Sequence, residues 1–191
     1  MNEQTEKPRF YVCSYGGCGS TMLTNILRAH GPAHHIHDRN PPRELCLPDG
    51  EHFGNTVDPN PDLARVVFIY SRPEYSQATS CAWGLVHWRN IGVKHPNTIV
   101  QDRKKYAEQN TDRIGLEEFF NNYFEHRTRN YRIIFVNYHE LWRYEMEFFR
   151  MLGVRGQLPP LRENPNRVIH KMSCFDGFNA KIDSLPPLFV K

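Results

Sequence analysis

The chain has 191 residues, 24 Lys and Arg against 21 Asp and Glu, and a formal net charge of +3 with its histidines neutral. That length builds one compact domain whose core needs neither metal nor disulfide. The near balance of charge excludes a nucleic-acid-binding arm but leaves room for a local anion site.

The five cysteines, Cys13, Cys18, Cys46, Cys81 and Cys174, form no CxxC pair. This disfavours a disulfide scaffold or a four-cysteine zinc site and points to a reducing compartment. The N-terminus MNEQTEKPRF has no apolar signal core, and no apolar run is long enough to cross a bilayer. The expectation is a soluble, cytoplasmic, single domain over 1–191, with 1–8 and the last few residues flexible.

In chain order, RFYVCS (9–14) is a continuous apolar run that reads as a buried parallel strand. STMLTNILRAHG follows as a helix with Met22, Leu23, Ile26 and Leu27 on one face and Gly31 as its stop. HHIH (34–37) is a short second strand, and residues 38–62, rich in Pro, Gly, Asn and Asp, are mostly loop. RVVFIYS (65–71) is the clearest strand, and Pro73 opens the next helix. Residues 89–114 are charged and irregular. Leu116, Phe119, Phe120, Tyr123 and Phe124 form a core-facing helical stripe. RIIFVNY (132–138) is another strand, ELWRYEMEFFRMLGV a helix ending at Gly153, and the tail from Leu158 a Pro-interrupted loop.

Strand and helix alternating in this way predict an α/β, three-layer, P-loop-like domain with a central parallel sheet. Ligands of such sheets bind at the carboxyl ends of strands. Three strand ends therefore carry the functional reading: Ser14–Thr21, Ser71–Arg72 and Tyr138–Glu140.

In SYGGCGST (14–21), Gly16, Gly17 and Gly19 permit a tight turn and close approach of a ligand. Ser20 and Thr21 open a helix whose free N–H groups favour phosphate or sulfate. The bland alternative is an ordinary glycine-rich turn. No Lys follows Gly19, so this is not a Walker A loop. At the second end, Arg72 leaves the sheet before a helix on which Ser76 and Ser80 share a face. A guanidinium beside hydroxyls grips a phosphate, whereas the alternative is a surface arginine capping a strand.

Taken together, the segments resemble the sulfotransferases that use 3′-phosphoadenosine 5′-phosphosulfate (PAPS). In that family a loop Ser/Thr-Tyr-x-Lys-Ser-Gly-Thr-Thr binds the 5′-phosphosulfate, and SYGGCGST is similar at Ser14, Tyr15, Gly19, Ser20 and Thr21. SRPEYSQATS looks like the family's 3′-phosphate motif, with Arg72 and Ser80 at the family spacing and Pro73 one place early. VNYHELW puts Tyr138 where the family has the tyrosine of Tyr-Glu-Asp, near the adenine. The resemblance covers most of 9–155, and the chain looks most like short sulfotransferase-like proteins of algae and large viruses.

The resemblance implies PAPS as donor, 3′,5′-ADP as product, no metal, and a small-molecule or glycan acceptor. The nucleotide would be bound by Tyr15, Gly16, Gly17, Cys18, Gly19, Ser20, Thr21, Arg72, Ser80 and Tyr138, with Arg167 and Lys171 closing over it from the tail. HIHDRNPPREL is similar to the segment carrying the family's catalytic histidine, which makes His37 the base, Asp38 the carboxylate alternative and Arg39 a cation. His35 shares a strand face with His37, and His87 and Trp88 are candidates to line the acceptor side; the bland alternatives are structural or solvated imidazoles and core aromatics.

Gly17 departs from the pattern by occupying the family's lysine position. Arg39, Lys94 and Lys171 are the cations that would replace that charge. The alternatives are a module that binds the nucleotide without transfer and a small P-loop kinase. The kinase is disfavoured by the missing lysine and by Ser71-Arg72 standing where a magnesium-binding carboxylate belongs.

Overall fold

The computed structural model describes residues 7–83, 110–112, 114–161, 169 and 171–191. Five strands form the main sheet: β1 (Arg9–Cys13), β2 (Ala33–Ile36), β5 (Ala64–Tyr70), β6 (Ile133–Asn137) and β7 (Leu188–Val190), in the order β2-β1-β5-β6-β7. The first four are parallel, and β7 pairs antiparallel with β6. The protein is therefore α/β with a mostly parallel five-strand sheet flanked by helices.

The strands β1, β5 and β6 are buried along almost their whole length. That is why they read as unbroken apolar runs with no alternation. Paired residues share a face, so Phe68, Phe135 and Phe189 make a row across three strands, with Phe135 and Phe189 stacked at 5.0 Å. Helix α3 (Leu116–Phe124) lays Phe119, Phe120 and Tyr123 on this row, with Tyr123 4.5 Å from Phe68. Helix α5 (Asp176–Ser184) joins it through Phe178, whose ring is 5.4 Å from Phe120. Helix α1 (Ser20–Leu27) packs on β1 and β2, and beyond its end His30 meets Phe149 of α4 (Glu145–Leu152). Helix α2 (Pro73–Trp83) leaves the carboxyl end of β5.

Three parts differ from the sequence reading. Residues 38–62 contain a hairpin of β3 (Cys46–Asp49) and β4 (His52–Val57). Gly50 supplies the positive φ (62°) that its two-residue turn requires. The tail is not only loop: α5 and β7 lie within it. The last residues, expected to be flexible, are held to β6: the Lys191 N–H donates to Ile133 O and the Ile133 N–H donates to Lys191 O, each at 2.9 Å. Helix α4 starts at Glu145 after a run of turns from Tyr138, not at Glu140. The reading of 89–114 falls mainly outside the described residues.

Candidate functional site at the carboxyl edge of the sheet

The loop between β1 and α1 is shaped by three glycines in the left-handed region: Gly16 (φ 89°), Gly17 (69°) and Gly19 (81°). Its other side chains turn inward. The Tyr15 hydroxyl, fully buried, donates to Ser71 O and accepts from Ser71 N at 2.9 Å. The Cys18 thiol, also fully buried, donates to Ile69 O at 3.1 Å. Burial pushes this thiol up to about 12. The Ser14 hydroxyl accepts from Gly16 N at 3.2 Å and donates to Ser20 Oγ at 3.0 Å.

Tyr15 and Cys18 thus lock the loop to the end of β5, and both side chains are fully buried. What the loop presents outward is backbone: the first N–H groups of α1, around exposed Thr21, which have no partner inside the helix. These fit a phosphate or sulfate oxygen.

Gly17 has no room for the family's lysine in this conformation. A Cβ there would lie 2.6 Å from Ser76 O and 2.9 Å from Thr79 Cβ, because the loop packs directly on α2. Gly19 is equally close to Tyr138, whose Cε2 would meet a Cβ at 2.5 Å. Tyr138 is held at the end of β6 by its N–H, which donates to Tyr70 O at 2.7 Å. Around it stand Tyr75 (5.8 Å between ring centroids), His139 (5.4 Å) and Trp142 (5.3 Å), a partly exposed aromatic group beside the glycine loop.

Arg72 follows β5 directly, and its Nη2 donates to both carboxylate oxygens of Asp183 on α5, each at 2.9 Å. Both side chains are exposed. Ser76 is buried, with its hydroxyl 2.7 Å from that of Ser71, so it faces inward. Ser80 lies on α2, but its side chain is outside the described residues.

The second strand end carries the residues assigned to catalysis. β1 and β2 pair up to Cys13 and Ile36, so His37 stands one step beyond, level with the start of the glycine loop. It is 5 % exposed. Its Nε2 lies 3.4 Å from Glu51 Oε2 in the hairpin turn, and its Nδ1 has no hydrogen-bond partner. Burial lowers its pKa, opposed by the Glu51 charge. His35 packs on it, ring to ring at 4.2 Å.

Asp38 and Arg39 do different work. Asp38 accepts from His52 Nδ1 at 2.7 Å and from Phe53 N at 2.6 Å, fastening the hairpin to the end of β2. Arg39 donates to Ile114 O and Gly115 O at 2.8–3.0 Å and lies over Phe119. Its guanidinium braces the start of α3. Lys171 is exposed, 3.7 Å from Asp176. Arg167, Lys94, His87 and Trp88 lie outside the described residues.

The edge therefore brings together the glycine loop, Arg72, Tyr138 and His37, and sets Asp38 and Arg39 to structural tasks. Glu51, Tyr75 and Asp183 were not singled out from sequence. Among them only Tyr75, three residues after Arg72, had a signal: its position on the first turn of a helix at a strand end. An open cleft of about 740 Å³ lined by Arg65, Arg129, Tyr131 and Lys191 lies at the amino ends of β5 and β6, away from this edge. Among the described residues no group of His, Cys, Asp and Glu is arranged to hold a metal, and no helix is long and apolar enough to cross a membrane. No protein-family model, curated protein or solved structure matches the chain.

Proposed function

We propose that the carboxyl edge binds a 3′-phosphoadenylyl nucleotide, PAPS or its product 3′,5′-ADP, in a three-layer, P-loop-like cytoplasmic domain of sulfotransferase type. The observation that carries this reading is the meeting of three separate strand ends. The N–H groups after Gly19, the Arg72 guanidinium and the Tyr138 aromatic group lie on one edge, at β1, β5 and β6. That set offers an anion cradle, a second cation for a second phosphate, and a stacking surface for a base.

The donor supplies an activated sulfuryl group for in-line displacement by a hydroxyl or amine. His37 is the candidate for taking the acceptor's proton: its lowered pKa keeps it neutral near pH 7, and Glu51 lies at Nε2. The acceptor's oxygen or nitrogen forms the bond to sulfur as the sulfur–oxygen bond to the nucleotide phosphate breaks.

A second reading, nucleotide binding without transfer, is favoured by one observation. Gly17 is packed too tightly for a lysine, and the Arg39 guanidinium bonds the carbonyls at the start of α3. Loss of one well-placed donor to a transition state costs about 10²–10³ in rate.

The test is thermal unfolding with 3′,5′-ADP, 5′-AMP and ATP–magnesium, followed by transfer of labelled sulfate from PAPS to a panel of phenols, glycans and amines. A ligand at a hundred times its Kd adds about 2.7 kcal/mol. Stabilisation by 3′,5′-ADP above the other two supports the nucleotide reading. Equal or absent stabilisation overturns it, and the transfer assay then decides nothing further.

A further inference from the structure

Three oxygen acceptors are buried between α2 and α5 with nothing donating to them. They are Glu74 Oε2, Gln77 Oε1 and Asn179 Oδ1, on residues that are 7 %, 1 % and 8 % exposed. The hydrogen bonds that do exist orient them. Asn179 Nδ2 donates to Glu74 Oε1 at 2.7 Å, which fixes Oδ1 as the amide's open atom. Gln77 Nε2 rests on Met172 Sδ at 3.1 Å. A thioether has no proton to give, so this contact takes the amide's N–H group and leaves Oε1 open. Glu74 and Gln77 are three apart on α2 and share a face. Glu74 accepts from the Asn179 amide at Oε1, and its Oε2 has no hydrogen-bond partner.

Buried acceptors are nearly always satisfied, and a buried carboxylate oxygen without a donor is costly. Two of these atoms stand on one face of α2 and the third on the α5 residue hydrogen-bonded to Glu74, and with one carboxylate among them they match a single positive charge that takes oxygen ligands. We propose that Glu74, Gln77 and Asn179 hold a monovalent metal cation, sodium or potassium. Oxygen-only ligation suits hard cations, and divalent calcium sites typically draw on several carboxylates. One carboxylate with two neutral amides balances a monovalent ion.

The site has a consequence for the edge described above. Glu74 and Gln77 sit in the first two turns of α2, directly after Arg72, and Asn179 is one turn before Asp183 on α5. The cation ties together the two helices that carry the Arg72–Asp183 pair. This inference does not depend on the nucleotide reading.

The experiment is thermal unfolding of the full chain in chloride salts of sodium, potassium and N-methylglucamine at equal ionic strength. The expected result is a saturable rise in Tm with sodium or potassium only, by about 5–10 °C at a hundred times Kd. Glu74→Gln removes the charge and should abolish the rise. Gln77→Met removes one oxygen without charge and should shift the midpoint to higher cation concentration, which keeps the test usable if Glu74→Gln does not fold. In crystals soaked with rubidium, an anomalous peak against Glu74 Oε2 would locate the ion. A Tm indifferent to the cation overturns the proposal, because water or a proton on Glu74 then satisfies the oxygens. A cation-specific rise unchanged in both variants also overturns it, because the ion then binds elsewhere.

Discussion

Arg72 and Asp183, 111 residues apart in the chain, are joined by one guanidinium nitrogen set 2.9 Å from both carboxylate oxygens. The group proposed to hold a 3′-phosphate is therefore already paired. Both side chains are more than half exposed, so the pair contributes at most about 1 kcal/mol to stability. A phosphate dianion bound there would form charge-assisted bonds to Arg72 in competition with the carboxylate. Asp183→Asn should tighten 3′,5′-ADP binding while changing the unfolding free energy by less than about 1 kcal/mol. Arg72→Ala should weaken 3′,5′-ADP binding by about 1.5–3 kcal/mol and leave 5′-AMP nearly unaffected. Calorimetric titration of both variants with both ligands checks this, and equal losses for the two nucleotides would remove Arg72 from the 3′ site.

The glycine loop gives a prediction opposite in sign to what family resemblance implies. Restoring the family's lysine by Gly17→Lys forces a side chain into φ +69° and against Ser76 O. Backbone strain of this kind costs of order 1–3 kcal/mol, and the clash adds to it. The variant should lose stability in urea and gain no transfer. Gly19→Ala should also destabilise, through its contact with Tyr138. Its loss should be partly recovered in Gly19→Ala/Tyr138→Ala, so a double-mutant cycle should show coupling of about 0.5–3 kcal/mol. Additive losses would mean that the strain at φ +81°, not the ring, sets the cost.

Much of the scaffold was legible because buried parallel strands are unbroken apolar runs. β1, β5 and β6 each announce themselves in this way, and the stripe of Phe119, Phe120 and Tyr123 announces α3. The hairpin was hidden by composition: Pro, Gly, Asn and Asp dominate its neighbourhood, so the Asp49-Gly50 turn reads as one more piece of loop. α5 was hidden in the same way, although Phe175, Phe178 and Ile182 follow a helical period. The site was legible as a set of strand ends but not as a set of side chains. Tyr15 matches a ligand-binding motif, yet its hydroxyl satisfies Ser71 across the sheet, a contact no local pattern encodes. Asp183 and Glu51 come from elements whose placement depends on the whole fold.

Tyr15 is accordingly predicted to matter through stability. Tyr15→Phe removes the hydroxyl that serves both backbone groups of fully buried Ser71. A buried N–H left unsatisfied costs about 1–3 kcal/mol. The midpoint of urea unfolding should fall by a corresponding amount. Nucleotide affinity, measured well below the transition, should change less than for Arg72→Ala. A large loss of affinity with unchanged stability would place Tyr15 in the ligand site after all.

The last prediction concerns His37, where the structure sets the sign of two pH effects. The groups facing His37 are Glu51 and His52 of the hairpin, Asp38, and His35 of β2. Burial is the largest influence and lowers the His37 pKa below its unfolded value of 6.5, so folding favours the neutral ring. Above pH 6.5 both states are neutral and His37 adds no pH dependence. As pH falls from 6.5 through the lower folded value, the unfolded chain binds the proton first and stability declines. His37→Gln should flatten that part of the stability curve. Transfer, where it occurs, should show an acidic limb at the same lowered pKa, because only the neutral ring accepts a proton. His37→Ala should reduce the rate by about 10²–10⁴ without weakening 3′,5′-ADP binding. Glu51→Gln removes the charge that raises the His37 pKa, so the acidic limb should move to lower pH while a weaker base slows the plateau. An acidic limb that stays in place in Glu51→Gln, or a rate that survives His37→Ala, would assign the proton transfer to another group. A wild type that binds 3′,5′-ADP yet transfers to no acceptor would leave His37 a buried structural histidine, with tightly packed Gly17 as the physical reason for the silence.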